Sequence, residues 1–247
     1  MAFINSTGKF SPLKIPGCAL WLEADRGITL VDGLVSAWAD QSGNGRHASQ
    51  TTEGYRPAYV TNQFNGYPAL LLDGTDDCFT VPALGTTSVV TTVAVRKVTR
   101  VSGEEGVLYS IELATDVVIG EFMGDGYAGT GNKLVWATTT GCTPIKTVSV
   151  MDITNPHIST LQYDGVNREL TSSWVYRLDG AAQSLNGASS SFGIASSVQG
   201  YIGRYPTTTN NYKGYLVVLV VYKRLITATE IRLIELHYSR KYGIALA

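Results

Sequence analysis

The 247-residue chain is poor in charge, in cysteine and in long apolar runs, and each shortage removes a class of protein. Charged residues make up 16% of it, and 19 Lys and Arg against 20 Asp and Glu leave a formal charge of −1. No Lys/Arg run or basic stripe occurs, so nucleic acid is not an expected partner. The cysteines Cys18, Cys78 and Cys142 are odd in number and lack Cys-x-x-Cys spacing. Neither a disulfide framework nor a zinc site is indicated, and each reads as a buried free thiol. The longest apolar stretch, Leu216 to Tyr222, falls far short of the roughly 20 residues a membrane-spanning helix requires. The opening Met-Ala-Phe-Ile-Asn-Ser-Thr-Gly-Lys has neither a charged n-region nor a continuous apolar h-region, so synthesis in a cytoplasm without a cleaved signal is expected.

What is abundant points to sheet. Hydrophobic residues reach 44%, with 26 Gly and 14 Tyr, the balance of a turn-rich β protein. Residues 1–16, with Pro12 and Pro16 and little periodicity, read as an extended arm, and residues 17–247 as one domain large enough for a shared core. Strand-like runs are Ala19–Leu22, Ala69–Leu72, Ser88–Val95, Val107–Ile111, Val117–Phe122, Lys133–Ala137, His157–Tyr163, Ser173–Leu178, Gly200–Gly203 and Lys213–Tyr222. Asp-Gly doublets at Asp32, Asp73, Asp125, Asp164 and Asp179, and Asn-Gly at Asn44, Asn65 and Asn186, accept the positive φ of tight turns. No fixed period links these segments, which disfavours a solenoid or propeller and leaves an all-β, two-sheet antiparallel jelly-roll sandwich. Only 227–241 reads as helix: Thr227-Ala-Thr-Glu230 is a capping box, Ile231, Ile234 and Tyr238 form one stripe, and Gly243 is the stop.

Three stretches carry a family likeness. They are Ala19-Leu-Trp-Leu-Glu-Ala-Asp25 with Trp38-Ala-Asp-Gln-Ser-Gly-Asn-Gly-Arg-His47; Asn65-Gly-Tyr-Pro-Ala-Leu-Leu-Leu-Asp-Gly-Thr-Asp-Asp77; and the closing run from His157 through Tyr176-Arg-Leu-Asp-Gly180 and Tyr201-Ile-Gly-Arg204 to Gly214–Thr227. Together they resemble the laminin-G-like members of the concanavalin-A-like lectin and glucanase superfamily over about residues 17 to 244, with 97–155 departing from the pattern. The resemblance implies an antiparallel sandwich whose chain ends meet on neighbouring strands. It leaves function open, because this fold carries lectins, hydrolases, lyases and virion parts.

Catalytic signals are weak. Glycosidases on this fold use carboxylates on alternate positions of one strand, in the pattern Glu-x-Asp-x-x-Glu. Glu23-Ala-Asp25 comes nearest, but Ile28 stands where the third carboxylate belongs. His47, His157 and His237 lie in no nucleophile context. No catalytic residue and no required cofactor are therefore expected. Asp73, Asp76 and Asp77 could supply hard oxygen ligands to calcium, although a solvated turn explains them as well. Trp21 and Trp38 read as core, whereas Trp136, Trp174, Tyr127, Tyr205 and Tyr212 are the candidates for a carbohydrate-binding platform.

A non-catalytic bacteriophage virion protein, a capsid decoration or tail-associated part on the virion exterior, follows from an extracellular-type fold without an export signal. Other virion proteins would bind the arm and the sheet edges, homo-oligomers could form at the same edges, and a glycan is a further expected partner. A carbohydrate-binding adhesive module is the first alternative and a glycoside hydrolase or lyase the second.

Overall fold

A computed structural model describes residues 10–85, 87–99, 106–114, 117–124, 133–137, 145–147, 152, 154–167, 170–187, 199–204 and 211–247. Its strands are β1 Cys18–Glu23, β2 Ile28–Val31, β3 Leu34–Trp38, β4 Ala48–Ser49, β5 Ala58–Phe64, β6 Tyr67–Asp73, β7 Phe79–Pro82, β8 Val90–Val98 and β9 Gly106–Ala114. They continue as β10 Val117–Gly124, β11 Lys133–Ala137, β12 Ile145–Thr147, β13 His157–Tyr163, β14 Trp174–Leu178, β15 Ala181–Ala182, β16 Leu185–Gly187, β17 Gln199–Ile202 and β18 Lys213–Tyr222. The helix α1, Ala228–Tyr242, closes the chain.

All strand ladders are antiparallel, as expected. β18 is the spine. Along one edge it pairs with β8, with an irregularity between Leu216 and Val218, and along the other first with β6 and then with β1. From β8 the ladder runs outward through β13 to β14, and from β6 through β5 to β3. The other layer runs β4, β7, β17, β9, β10, β11, β12, β16. The two layers face each other, because Thr92 on β8 reaches the Tyr109 hydroxyl on β9 (2.6 Å) and Arg96 on β8 reaches Glu121 on β10 (3.2 Å).

That facing core carries an ion pair at its centre. Arg96 is fully buried and Glu121 nearly so, and the carboxylate also accepts from Ser159 Oγ at 3.2 Å. Burial pushes Glu121 above the usual carboxylate range against the pull of the guanidinium.

Three of the turn doublets make two-residue hairpins with positive φ at both positions: Asp32-Gly33, Asn65-Gly66 and Asp179-Gly180. At Asp73 and Asp164 only the glycine is left-handed, and Asn186-Gly187 is not a turn but part of β16. Asp125-Gly126 lies outside the described residues.

The capping box is present as read: Glu230 N donates to Thr227 Oγ1, and Glu230 Oε2 accepts from Thr227 N at 2.7 Å. Gly243 takes the left-handed conformation that ends the helix. α1 lies across the outer face of the first layer. Its buried Glu235 receives Arg177 of β14 through two nitrogens (2.9 and 3.1 Å) and Thr160 of β13, while Lys241 and Tyr242 reach Glu23 of β1. Since β8 and β18 lie between those strands, they are covered on both faces, which explains why nearly all their residues are buried.

Residues 10–16 are part of this body, which corrects their reading as extended arm. Pro12–Lys14 form a 3-10 turn, Pro12 and Ile15 are buried, Tyr222 donates to the Pro12 carbonyl at 3.0 Å and Arg224 to that of Pro16 at 2.7 Å. Residues 1–9 lie outside the described residues.

Candidate functional site

The platform expected from loop aromatics does not form from the members that can be placed. Trp174 is 4% exposed and its ring stacks on Tyr163 at 4.4 Å, so no face is free for a sugar. Tyr212 is fully buried, its hydroxyl 3.2 Å from the carbonyl oxygens of both Lys97 and Tyr215. Both are core residues. Tyr127, Tyr205 and the Trp136 side chain lie outside the described residues.

Asp73, Asp76 and Asp77 do converge: one carboxylate oxygen of each lies within 4.8 Å of the others. Asp73 Oδ1 accepts from the Thr75 and Asp76 amides, and Asp77 Oδ2 from the Asp73 amide, so the turn is built by its own carboxylates. Burial pushes Asp77 up to about 6. The donor chemistry suits a hard divalent cation, and the same contacts satisfy an Asx-type turn.

The family-like segment Trp38–His47 is structural. Asp40 is 7% exposed and accepts from the backbone amides of Trp21, Ser42 and Arg46 at 2.8 to 3.0 Å, while His47 Nδ1 accepts from the Asp40 amide. Arg46 donates to the carbonyls of Ala19 and Leu84. This loop clamps β1 in place, and with it one wall of a concavity of small-ligand size.

That concavity, about 700 Å³, lies between β1 and α1. Strand periodicity puts Trp21 and Glu23 on one face of β1, with Leu20 and Leu22 turned to the core. Asp25 and Arg26 follow in the turn after β1, Tyr67 comes from the start of β6, and Phe10 closes one side. From α1 come Leu233, His237, Arg240 and Lys241, a second stripe at helical spacing beside the buried one.

Charge is concentrated at its base. Glu23 is 1% exposed, yet it accepts from Trp21 Nε1 (2.9 Å), Tyr242 Oη (3.0 Å) and Lys241 Nζ (2.7 Å). The same ammonium bridges to Asp25 at 2.7 Å. Burial, reinforced by the Glu23 carboxylate, pushes the Tyr242 phenol well up and keeps it a donor. Arg26 lies over the Trp21 ring at 5.1 Å, and Lys241 over Tyr67 at 4.7 Å. Burial lowers the His237 imidazole below its usual value, so it is neutral at pH 7. Burial pushes the Cys18 thiol up to about 12, away from the reactive thiolate.

Both carboxylates are held by Lys241, and Glu23 is further occupied by two neutral donors. Sequence reasoning weighed Glu23 and Asp25 as an incomplete catalytic pair and placed Trp21 in the core. It missed Arg26, Tyr67, Arg240 and Lys241, whose only local signal is the second stripe at 233, 237, 240 and 241.

No family model matches the chain, and no curated protein does. Solved structures do. The binding domain of Paraclostridial mosquitocidal protein 1 superposes with a TM-score of 0.60 at 15% identity over 92% of this chain and 53% of that one. Domain 4 of AbnA, a GH43 extracellular arabinanase from Geobacillus stearothermophilus in complex with arabinotriose, gives 0.56 at 12% identity over 87% of this chain and 96% of that domain. Trypanosoma rangeli sialidase gives 0.56 at 16% identity over 94% of this chain. The chain spans about half the length of the first of these and 34% of the sialidase. At such identities the likeness establishes the fold alone, a β-sandwich consistent with the concanavalin-A-like jelly roll.

Proposed function

We propose that the chain is a non-catalytic carbohydrate-binding module and that the concavity between β1 and α1 is its ligand site. The observation that carries this reading is the half-buried Tyr67 ring set among the charged groups Arg26, Arg240 and Lys241 in a cleft of small-ligand size. The sandwich it shares with an arabinotriose-bound domain supports it. A non-catalytic role is supported by Glu23 and Asp25 being clamped by one lysine, which leaves neither carboxylate of this cleft free to give or take a proton at a glycosidic oxygen.

A glycan array followed by titration calorimetry tests the reading: saccharide binding that is lost in Tyr67→Ala, with no release of reducing ends, is the expected result. Reducing-end release abolished by Glu23→Gln would replace this reading with an enzyme. A place on the exterior of a bacteriophage particle, as capsid decoration or tail-associated part, belongs to the same proposal. Mass spectrometry of purified particles tests it, and deletion of residues 1–9 alone, which spares the packed Phe10–Pro16, tests whether attachment uses that segment.

A further inference from the structure

We propose that the ligand of this concavity is an acidic saccharide whose carboxylate is held by Arg26 and Arg240. The inference rests on the carbohydrate-binding reading and adds the charge of the sugar to it.

The argument is a count of charges and of unused donors. Three cations, Arg26, Arg240 and Lys241, face two carboxylates, Glu23 and Asp25, while His237 is neutral. Lys241 is consumed between the two acids at 2.7 Å from each. Arg26 approaches them only through Nε, at 3.4 Å from Asp25 and 3.7 Å from Glu23, so its two terminal nitrogens have no partner among the described residues. Arg240 is exposed and makes no ion pair or hydrogen bond among the described residues. One positive charge is thus left uncompensated at the mouth of a cleft whose own acids are already neutralised.

The chemistry of these donors selects the anion. A guanidinium offers a planar fork that meets a carboxylate through two parallel N–H bonds. Arg26 lies against the Trp21 ring, which restricts its rotamers before any ligand arrives. Tyr67 and Phe10 supply apolar faces for the C–H side of a pyranose or furanose ring. A neutral sugar would use those faces and leave both guanidinium groups without a new acceptor. A second anionic site on Glu23 or Asp25 is excluded by sign.

The test is titration calorimetry of the full chain with trigalacturonate and with neutral arabinotriose at the same ionic strength. The expected result is tighter binding of trigalacturonate, weakened at least tenfold by Arg240→Gln and by Arg26→Gln, with arabinotriose affinity unchanged in Arg240→Gln. Arg240 is exposed and unpaired, so Arg240→Gln keeps the fold, and an unchanged unfolding curve verifies it. Equal or tighter binding of arabinotriose overturns the acidic ligand while the carbohydrate-binding reading stands. Trigalacturonate binding indifferent to both substitutions overturns the assignment of these two arginines. No binding of any saccharide in the panel overturns both readings together.

Discussion

Arg96→Met isolates the buried ion pair that joins the two layers. Arg96 is 0% and Glu121 1% exposed, so no solvent can rehydrate a carboxylate left alone there. Breaking a pair so placed by removing one member is expected to cost about 3 to 5 kcal/mol, and full burial puts this case at the upper part of that range. For a chain of this length the loss corresponds to a fall in Tm of roughly 6 to 20 °C. Urea denaturation followed by tryptophan fluorescence measures it, with Arg96→Met/Glu121→Gln as the closing corner of the cycle. The double variant removes both charges and keeps an acceptor for Ser159 Oγ, so it should recover more than half of the single loss. The pH dependence has a definite sign. A buried carboxylate with no cation has a raised folded-state pKa, so stability is greatest below its unfolded value and falls as pH rises through the folded one. The Arg96→Met deficit must therefore shrink from pH 8 to pH 4. A loss under about 1 kcal/mol, or single losses that simply add in the double variant, would refute the reasoning.

Four further outcomes follow from named contacts. Thr227→Ala removes the acceptor for Glu230 N and should lower stability by about 1 kcal/mol, with Thr227→Ser restoring it in thermal unfolding. Glu230 is held below the usual carboxylate range, first by Arg224, so its contribution is present at neutral pH and lost as pH falls through that lowered value. Asp77, raised from 3.8 to about 6, makes the opposite contribution: it stabilises below pH 4 and is lost as pH rises through 6. Asp77→Asn should be more stable than the parent at pH 7 and not at pH 4. A carboxyl resonance titrating near 6 confirms the cause, and a fall of that midpoint in calcium would identify the turn as a cation site. Lys241→Met leaves the buried Glu23 with two neutral donors and the Arg26 Nε at 3.7 Å as its remaining cation, and should destabilise by about 3 kcal/mol, largely relieved by adding Glu23→Gln, as read by urea denaturation.

What the sequence revealed was what is decided locally. The helix at 228–242 depends on Thr227, Glu230 and Gly243, all within one turn of its ends, and its limits came out within a residue. Asp32-Gly33, Asn65-Gly66 and Asp179-Gly180 were legible because positive φ at adjacent positions tolerates few residues. β3 and β5 were not foreseen. Leu34–Trp38 has no clean alternation, and β5 carries exposed Thr61, Asn62 and Gln63 with Asn62 at φ 57, so their strand character comes from the neighbours they pair with. Trp174 and Tyr212 were misread as exposed for a related reason. Loop composition around Trp174 and Tyr212 suggested exposure, but Tyr163 and the Lys97 carbonyl, distant in sequence, bury them.

The concavity belongs to the same class of non-local feature. The decisive contact, Glu23 with Lys241, joins residues 218 apart and exists because β1 and β18 are neighbours, so the strand after the packed start lies beside the strand that leads into α1. No window along the chain contains both halves. This construction also couples fold to site unevenly. Lys241 ties α1 to β1 and at the same time neutralises the acids of the cleft, so its loss should weaken stability and saccharide binding together. Arg240, one residue away and unpaired, touches only the space where a ligand would sit, so its loss should weaken binding alone. That separation between neighbouring cations on one helical turn is what a ligand site predicts and a purely structural groove does not.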